Sequence, residues 1–229
     1  MIDERAQMYL KAVAEFSEEG EEATTSSIAR RLDVSQPSVT EMLQRLSAKG
    51  LVSHRPRGAV RLTKEGKRLA SSLIRRHRLW ESFLTRFLGF SWDEVHEEAC
   101  RLEHGTSPAL EERLAELMGD LEACPHGHVI PGREGRASEE RATPLSEFPA
   151  PGLACVVRIR EETADLLHRL ARLDISPGCI LDTEGVSARD GSVQVRVDGR
   201  PVELAADLAR NVMVKPAEKD GAGGDQPRR

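Results

Sequence analysis

The sequence has few aromatic residues and no long apolar run. Aromatic side chains make up 3% of its 229 residues, so any core must be built mainly from Leu, Val, Ile and Ala. No stretch approaches the roughly 18 consecutive apolar residues of a membrane-spanning helix. The first residues, MIDERAQMYL, lack a basic segment followed by an apolar run, so no secretory signal is expected. We therefore expect a soluble, globular, cytoplasmic protein without a membrane partner.

The four cysteines, at positions 100, 124, 155 and 179, form no CxxC pair and are widely spaced. This spacing differs from that of a disulfide-rich secreted domain. We expect a reducing compartment and no disulfides.

The net charge of −5 conceals a segregation of charge along the chain. Residues 24–68 contain ten basic and three acidic side chains, a local net charge of +7. Residues 1–23 and 69–131 each carry a local net charge of −5. A basic segment within an acidic protein indicates a site for a polyanion such as nucleic acid, although a solvated basic face would look the same.

The first third of the chain has the pattern of a winged helix-turn-helix. Apolar spacing predicts a helix over 4–19 and a short helix over 26–33. After a tight turn, Pro37 opens a helix that Gly50 ends. The following LVSHRPRGAVRLT has two alternating runs and predicts a basic hairpin.

Small polar residues at the start of the second helix would let its backbone enter the major groove of DNA. Gln36 could contact adenine, and Arg57 beside Gly58 would lie at the tip of the wing. A three-helix bundle with a basic surface is the alternative explanation. The candidate DNA-binding residues are Ser35, Gln36, Pro37, Ser38, Thr40, Arg30, Arg45 and Arg57.

Downstream, helical patterns cover 63–88, 92–104 and a segment from Pro108, and alternating strands begin after Pro151. We expect a mainly α protein with a small β domain that resembles an SH3-like barrel. The predicted divisions are a winged-helix domain (1–68), a helical domain (69–131), a linker (132–150), the SH3-like domain (151–216) and a disordered tail (217–229).

Potential metal ligands are concentrated in the helical region. Five of the seven histidines lie within 77–128. His77 and Glu81 are four residues apart, which places them on one helix face. In HEEACRLEH, a second stripe brings together His96, Cys100, Glu103 and His104. Imidazole, carboxylate and thiolate together suit a first-row divalent ion.

Three segments, RRHRLWESFL, EVHEEACRLEH and CPHGHVIPG, follow a helix with QPSVTEMLQRL. In this order they resemble the diphtheria toxin repressor family of metal-activated DNA-binding regulators of iron or manganese homeostasis. The resemblance implies a homodimeric transcriptional repressor that binds a palindromic double-stranded DNA operator, and it leaves open whether two dimers share one operator. Fe(II) or Mn(II) would be the corepressor, with two ions per subunit, and Co, Ni or Zn would substitute in vitro.

The resemblance implies that the helical domain, residues 69–131, binds metal and forms the dimer. It also implies how the ligands divide between two sites. His77, Glu81 and His96 match the ancillary site of the family. Met8, Cys100, Glu103 and His104 match its primary, regulatory site. The SH3-like domain of the family can add ligands to the ancillary site, and a one-residue shift in the alignment gives Glu162 and Asp165.

The choice of metal stays open at this point. The pair Met8 and Cys100 resembles the iron-responsive branch of the family, whereas the manganese branch usually has carboxylates at these positions. The wing sequence HRPRGAVRLT resembles the manganese branch instead.

Two other functions are weighed against the repressor. A metallohydrolase could use Glu81 or Glu103 as a base, but no HExxH motif, nucleophile elbow or phosphate loop is found. A metal-independent winged-helix regulator of the multiple-antibiotic-resistance type would not need the ligand stripe. Zinc bound by Cys124, His126 and His128 is less favoured than a simple turn, because three closely spaced ligands do not complete a tetrahedral site.

Overall fold

The computed structural model describes residues 2–54, 58–132 and 141–217. The chain divides into two compact units, and each is described by itself. The first comprises Met1–Gly89, Glu97–Cys124 and Val129–Glu139. The second comprises Phe90–His96, Pro125–His128 and Glu140–Arg229.

The first unit begins with three helices and a two-stranded antiparallel hairpin, in the order of a winged helix-turn-helix. The register pairs Val52 with Leu62 and His54 with Val60. This arrangement confirms the predicted fold of the N-terminal region. Its elements are α1 (Glu4–Glu18), α2 (Thr25–Arg31), α3 (Gln36–Ala48), β1 (Val52–His54) and β2 (Val60–Leu62).

Side-chain caps fix where these helices begin. Asp3 accepts a hydrogen bond from the backbone N–H of Ala6 at 2.8 Å and caps α1. Thr24 and Ser27 form a capping box at α2, and Ser35 caps α3. Such caps satisfy backbone donors that have no partner within the helix and contribute about 1 kcal/mol each.

The core of this region lies between α1, α2, α3 and the hairpin. Phe16, Ile28 and Leu43 are each no more than 2% exposed within it. Burial of one such side chain contributes about 1.5–3 kcal/mol. The helix-turn-helix is therefore held by the apolar stripes that the sequence pattern predicts.

Three further helices follow: α4 (Lys64–Leu88), α5 (Val95–Glu103) and α6 (Pro108–Met118). The first unit contains α4, α6 and the part of α5 from Glu97 onward. α4 packs against both α1 and α6. Gly66 permits a close approach, since a Cβ there would lie 2.0 Å from the backbone oxygen of Leu51. α5 begins at Val95 rather than at residue 92, because the preceding residues form a turn.

The second unit contains a six-stranded antiparallel sheet in the order β3-β8-β4-β5-β6-β7. Its apolar core includes Ile159, Leu167, Leu170 and Ile175, all fully buried. The elements are β3 (Thr143–Pro144), β4 (Gly152–Ile159), α7 (Ala164–Arg172), β5 (Ile180–Val186), β6 (Val193–Val197), β7 (Arg200–Leu204), α8 (Ala206–Asn211) and β8 (Val212–Pro216).

Part of the predicted linker belongs to this unit. Thr143–Pro144 pairs with β8, and a 3₁₀ turn follows at Leu145–Glu147. Leu145 is fully buried and Phe148 is 9% exposed in the core of the unit. Residues 141–150 are therefore part of the folded domain, since these two apolar side chains anchor them. Residues 133–140, and the predicted tail after residue 217, lie outside the described residues.

Among the described residues, no helix is long and apolar enough to cross a membrane.

Candidate metal centre and nucleic-acid interface

The start of α3 presents the polar side chains that were predicted to read DNA. Gln36, Pro37 and Thr40 are exposed, and Ser38 is half-buried. Ser35 accepts a hydrogen bond from the backbone N–H of Ser38 at 3.3 Å. This cap fixes the first turn of the helix, so the exposed side chains project from a defined backbone.

Of the predicted basic contacts, Arg30 and Arg45 are exposed. Arg45 forms an ion pair with Asp3, the N-cap of α1, at 3.3 Å. Both side chains are about half exposed, at 51% and 56%, so the pair contributes little to stability. It nevertheless places the beginning of α1 against α3, the helix that is predicted to read DNA. Arg57, predicted at the wing tip, lies outside the described residues.

The buried polar cluster of the first unit joins α4 to α5. His77 Nε2 lies 2.8 Å from Glu81 Oε1, one turn along α4. His77 Nδ1 lies 2.6 Å from Glu103 Oε2 of α5 and 3.9 Å from Cys100 Sγ. The carboxylates of Glu81 and Glu103 are both fully buried. Residues from both predicted sites therefore contact one another.

α1 contributes to the same cluster. Lys11 Nζ lies 2.8 Å from Glu103 Oε2, and both side chains are buried. Gln7 Oε1 lies 2.9 Å from His104 Nδ1. Met8, the predicted ligand on this helix, is half-buried. The helix next to the DNA-reading unit thus holds two of the predicted primary ligands, Glu103 and His104.

The pKa values of these groups reflect their burial and mutual contacts. Burial alone would lower the pKa of Lys11, but the surrounding acidic groups, Glu103 foremost, raise it above the usual value. Burial and the Lys11 charge oppose protonation of His77, yet Glu81, Cys100 and Glu103 raise its pKa to about 10. Burial would raise the pKa of Glu103, but His77 and Lys11 hold it below its usual value. The cluster is a network of compensated buried charges.

The donor set fits a divalent metal ion. Glu103 Oε1 is buried, makes no hydrogen bond to any of the residues that the structure describes, and lies 3.4 Å from His104 Nε2. A buried carboxylate oxygen without a hydrogen bond is costly unless something coordinates it. Carboxylate oxygen, imidazole nitrogen and the Cys100 sulfur together suit Mn, Fe, Co, Ni or Zn. When bound, such an ion would supply a positive charge that the carboxylate, imidazole and sulfur donors would hold in a fixed position.

A second polar group lies within the second unit. His96 Nδ1 is 2.9 Å from Glu162 Oε2. His126 Nδ1 and His128 Nε2 each lie 3.4 Å from Glu162 Oε1. Glu162, predicted as a ligand, is therefore surrounded by three imidazoles. Asp165 is not brought to this group, since its side chain is 83% exposed and pairs with Arg169 one helical turn away.

The turn that carries the last two histidines is held tightly. His126 Nε2 lies 2.7 Å from the carbonyl oxygen of Trp92, and His128 Nε2 lies 2.7 Å from that of Ile159. Gly127 has a φ of +86°, and a Cβ there would lie 2.0 Å from the carbonyl oxygen of Val157. The sequence pattern around Cys124 had favoured a simple turn, and it missed the contacts of both histidines with Glu162.

Lys11 and Gln7 were also missed as members of the site. One signal for Lys11 was present, because it lies in the apolar stretch of α1 between the buried residues Leu10 and Ala12. Its partner Glu103 is 92 residues away along the chain. No local pattern connects the two.

Comparisons with known proteins agree with this architecture. Residues 1–60 match the family described as iron dependent repressor, N-terminal DNA binding domain. Residues 63–132 match the iron dependent repressor metal binding and dimerisation domain, and residues 143–216 match the FeoA domain.

Individual relatives span nearly the whole chain. The diphtheria toxin repressor of Corynebacterium diphtheriae is 33% identical over 220 residues, covering 91% of this chain and 96% of the relative. The iron-dependent repressor IdeR of Mycobacterium tuberculosis is 33% identical over 222 residues, with coverages of 91% and 96%.

Solved structures with the same fold include a manganese-dependent transcriptional repressor in complex with manganese. It has a TM-score of 0.81 and 34% identity, and the match covers 93% of this chain and 100% of that one. ScaR with bound Cd2+ has a TM-score of 0.82 and 33% identity, with coverages of 93% and 99%. With its DNA-binding, metal-binding and FeoA regions all matched, the chain belongs to the diphtheria toxin repressor family of iron-dependent repressors.

Proposed function

We propose that this protein is a homodimeric transcriptional repressor that binds operator DNA when Fe(II) or Mn(II) is bound. The observation that carries the proposal is the position of α1. This helix contacts Glu103 through Lys11 and His104 through Gln7. At its beginning, Asp3 contacts Arg45 of the DNA-reading helix.

The contacts of α1 suggest how metal binding would be coupled to DNA binding. Ligation of a metal ion by Met8 together with Glu103 and His104 would favour one position of α1 relative to α5. Because Asp3 at the start of α1 holds Arg45, that position would also determine whether Arg45 is available for a phosphate. Metal would then shift the population toward the DNA-binding arrangement.

Two metal ions per subunit are proposed. The primary site consists of Met8, Cys100, Glu103 and His104, which carry thioether, thiol, carboxylate and imidazole donors. For the ancillary site we propose His77, Glu81 and His96, on the basis of the resemblance to the family. Glu162 is retained as a further ligand because it contacts His96, whereas Asp165 is left out because it is exposed.

The proposed DNA target is a palindromic duplex, because a two-fold dimer presents two identical reading helices. Exposed apolar side chains on the helices of the matched dimerisation region support self-association: Phe87, Leu88, Leu102, Leu110 and Leu117. Whether one or two dimers occupy an operator would follow from the protein-to-DNA ratio at saturation. The proposed location is the cytoplasm.

Selection of DNA from a random pool, followed by fluorescence anisotropy, tests the proposal. Selection would be carried out with Mn(II), and the enriched duplex titrated with Mn(II), with Fe(II) under anaerobic conditions, or with a chelator. We expect metal to tighten binding by at least about tenfold, which corresponds to about 1.4 kcal/mol of coupling. Equal binding in the chelator would favour a metal-independent winged-helix regulator. Co(II), Ni(II) and Zn(II) are expected to substitute in the same assay.

A further inference from the structure

Lys11 is a buried cation at the centre of the proposed primary site. It is 3% exposed, and its ammonium lies 2.8 Å from Oε2 of the fully buried Glu103. Lysine is rarely buried unless an acid neutralises it. This lysine therefore depends on the carboxylate that is also proposed to bind metal.

The two oxygens of Glu103 have different surroundings. Oε2 contacts both Lys11 Nζ and His77 Nδ1, at 2.8 and 2.6 Å. Within the described part of the chain, Oε1 has no hydrogen-bond partner, and it lies 3.4 Å from His104 Nε2. One oxygen of the carboxylate is held by Lys11 and His77, and the other oxygen faces the nitrogen of a second proposed ligand.

A charged lysine cannot ligate a metal, because its ammonium has donors and no acceptor. We propose that Lys11 is an internal competitor of the metal ion, holding Glu103 in the metal-free protein and thereby setting the metal concentration to which the repressor responds. The inference rests on the proposed function, since it requires Glu103 to be a ligand.

Lys11 is expected to weaken metal binding whichever oxygen of Glu103 coordinates the ion. If Oε2 coordinates, the Lys11 ammonium must leave that oxygen. If Oε1 coordinates alone, the ammonium stays on the other side of the same carboxylate and repels the ion. Either way the positive charge of Lys11 weakens metal binding, and in a buried site such repulsion is poorly screened.

Release of Lys11 would also involve α1. Lys11 follows Met8 by three residues, so both side chains lie on the same face of the helix. When Lys11 releases Glu103 and Met8 binds the metal ion, α1 exchanges one bond to α5 for another. The exchange would link metal occupancy to the position of α1. Asp3, which caps this helix, contacts Arg45.

Lys11→Met tests the inference by removing the charge while keeping an unbranched apolar side chain. His77 remains 2.6 Å from Glu103 in this variant, so the carboxylate keeps one of its two close partners. The affinity for Mn(II) would be measured by competition with a chromophoric chelator at one fixed pH. We expect it to rise by at least about tenfold. Lys67→Met, at an exposed position of the long helix α4, is the matched control and is expected to have no effect.

Two more variants separate charge from shape and from misfolding. Lys11→Gln is neutral and polar, so it replaces the methionine variant if that variant does not fold. We expect the same rise in Mn(II) affinity. Lys11→Arg keeps the charge and should keep the affinity near that of the unmodified protein. Thermal unfolding gives a readout independent of DNA: Mn(II) should raise the melting temperature more in the neutral variants than in the unmodified protein.

Glu103→Gln distinguishes failure of this inference from failure of the proposed site. If that change lowers Mn(II) binding from two ions per subunit to one while both neutral Lys11 variants bind with unchanged or weaker affinity, Lys11 is not a competitor, and the inference alone is overturned. Tighter binding in Lys11→Arg would overturn it as well. If Glu103→Gln binds Mn(II) normally, the proposed primary site is wrong and the inference fails with it.

Discussion

His77 Nδ1 lies 2.6 Å from Glu103 Oε2, a contact between residues that the resemblance to the family assigns to two different metal sites. The same imidazole contacts Glu81 through its other nitrogen, at 2.8 Å. His77 therefore links a carboxylate of the ancillary set to a carboxylate of the primary set. Buried polar networks of this kind respond as a unit when one member is removed.

The primary ligands are expected to be essential for activation. Glu103→Gln or His104→Ala should remove metal-dependent DNA binding, because each change deletes one of two adjacent donors. Anisotropy with and without Mn(II) measures the effect. Glu98→Gln is the control, since Glu98 lies on the same helix but pairs with Arg101 at the surface. Full activation of both primary variants would contradict the assignment.

Changes at two of the proposed ancillary ligands, His77 and His96, should reduce metal-dependent activation to different extents. His96→Ala is expected to lower the metal stoichiometry and leave partial activation, because His96 contacts Glu162 of its own unit. His77→Ala should cost more activation, because it also removes a partner of Glu103. Isothermal titration together with the operator-binding assay compares them. If His77→Ala leaves full activation while His96→Ala abolishes it, the contact between His77 and Glu103 is not needed for activation, and the prediction is wrong.

The beginning of α3 is expected to carry sequence preference. Gln36→Ala should reduce the ratio of specific to random DNA binding by about tenfold, which is the typical contribution of a bidentate base pairing. Gln44→Ala, exposed two turns later on the same helix, should leave the ratio unchanged. Arg45→Ala should weaken binding to both kinds of DNA and lower the salt dependence. An unchanged ratio in Gln36→Ala would exclude the proposed base contact.

Cys100 is expected to tune the choice of metal. Cys100→Asp replaces a soft thiol with a hard carboxylate, so the preference should move from Fe(II) toward Mn(II). The quantity to measure, under anaerobic conditions, is the Fe(II) concentration that gives half-maximal DNA binding divided by the Mn(II) concentration that does the same. A ratio equal to that of the unmodified protein would show that the Cys100 sulfur is not a ligand.

The local sequence pattern is sufficient to predict the helices of the N-terminal region and most strands of the six-stranded sheet. Pro37, Gly50 and the apolar stripes correctly predicted the helix-turn-helix, and alternation predicted β4 to β7. The short strand Val212–Pro216 was missed, because five residues after a short helix give no distinct period. The buried Leu145 was missed because its neighbours are polar.

The site could be predicted only in part, for a different reason. The spacing of His77 and Glu81 along one helix is visible in the sequence. The contact between Lys11 and Glu103 joins residues far apart in the chain, and nothing in either local pattern indicates it. Charge compensation within a buried cluster depends on the tertiary fold.

Reciprocal linkage tests whether α1 couples the proposed metal ligands to α3, the helix proposed to read DNA. The affinity for Mn(II) would be measured on the same protein with the selected operator duplex at saturation and with no DNA. We expect the operator to tighten Mn(II) binding by the same factor, at least about tenfold, by which Mn(II) tightens operator binding. Identical Mn(II) affinities with and without operator would show that the metal site and the DNA-binding site are not coupled, and would contradict the proposed role of α1.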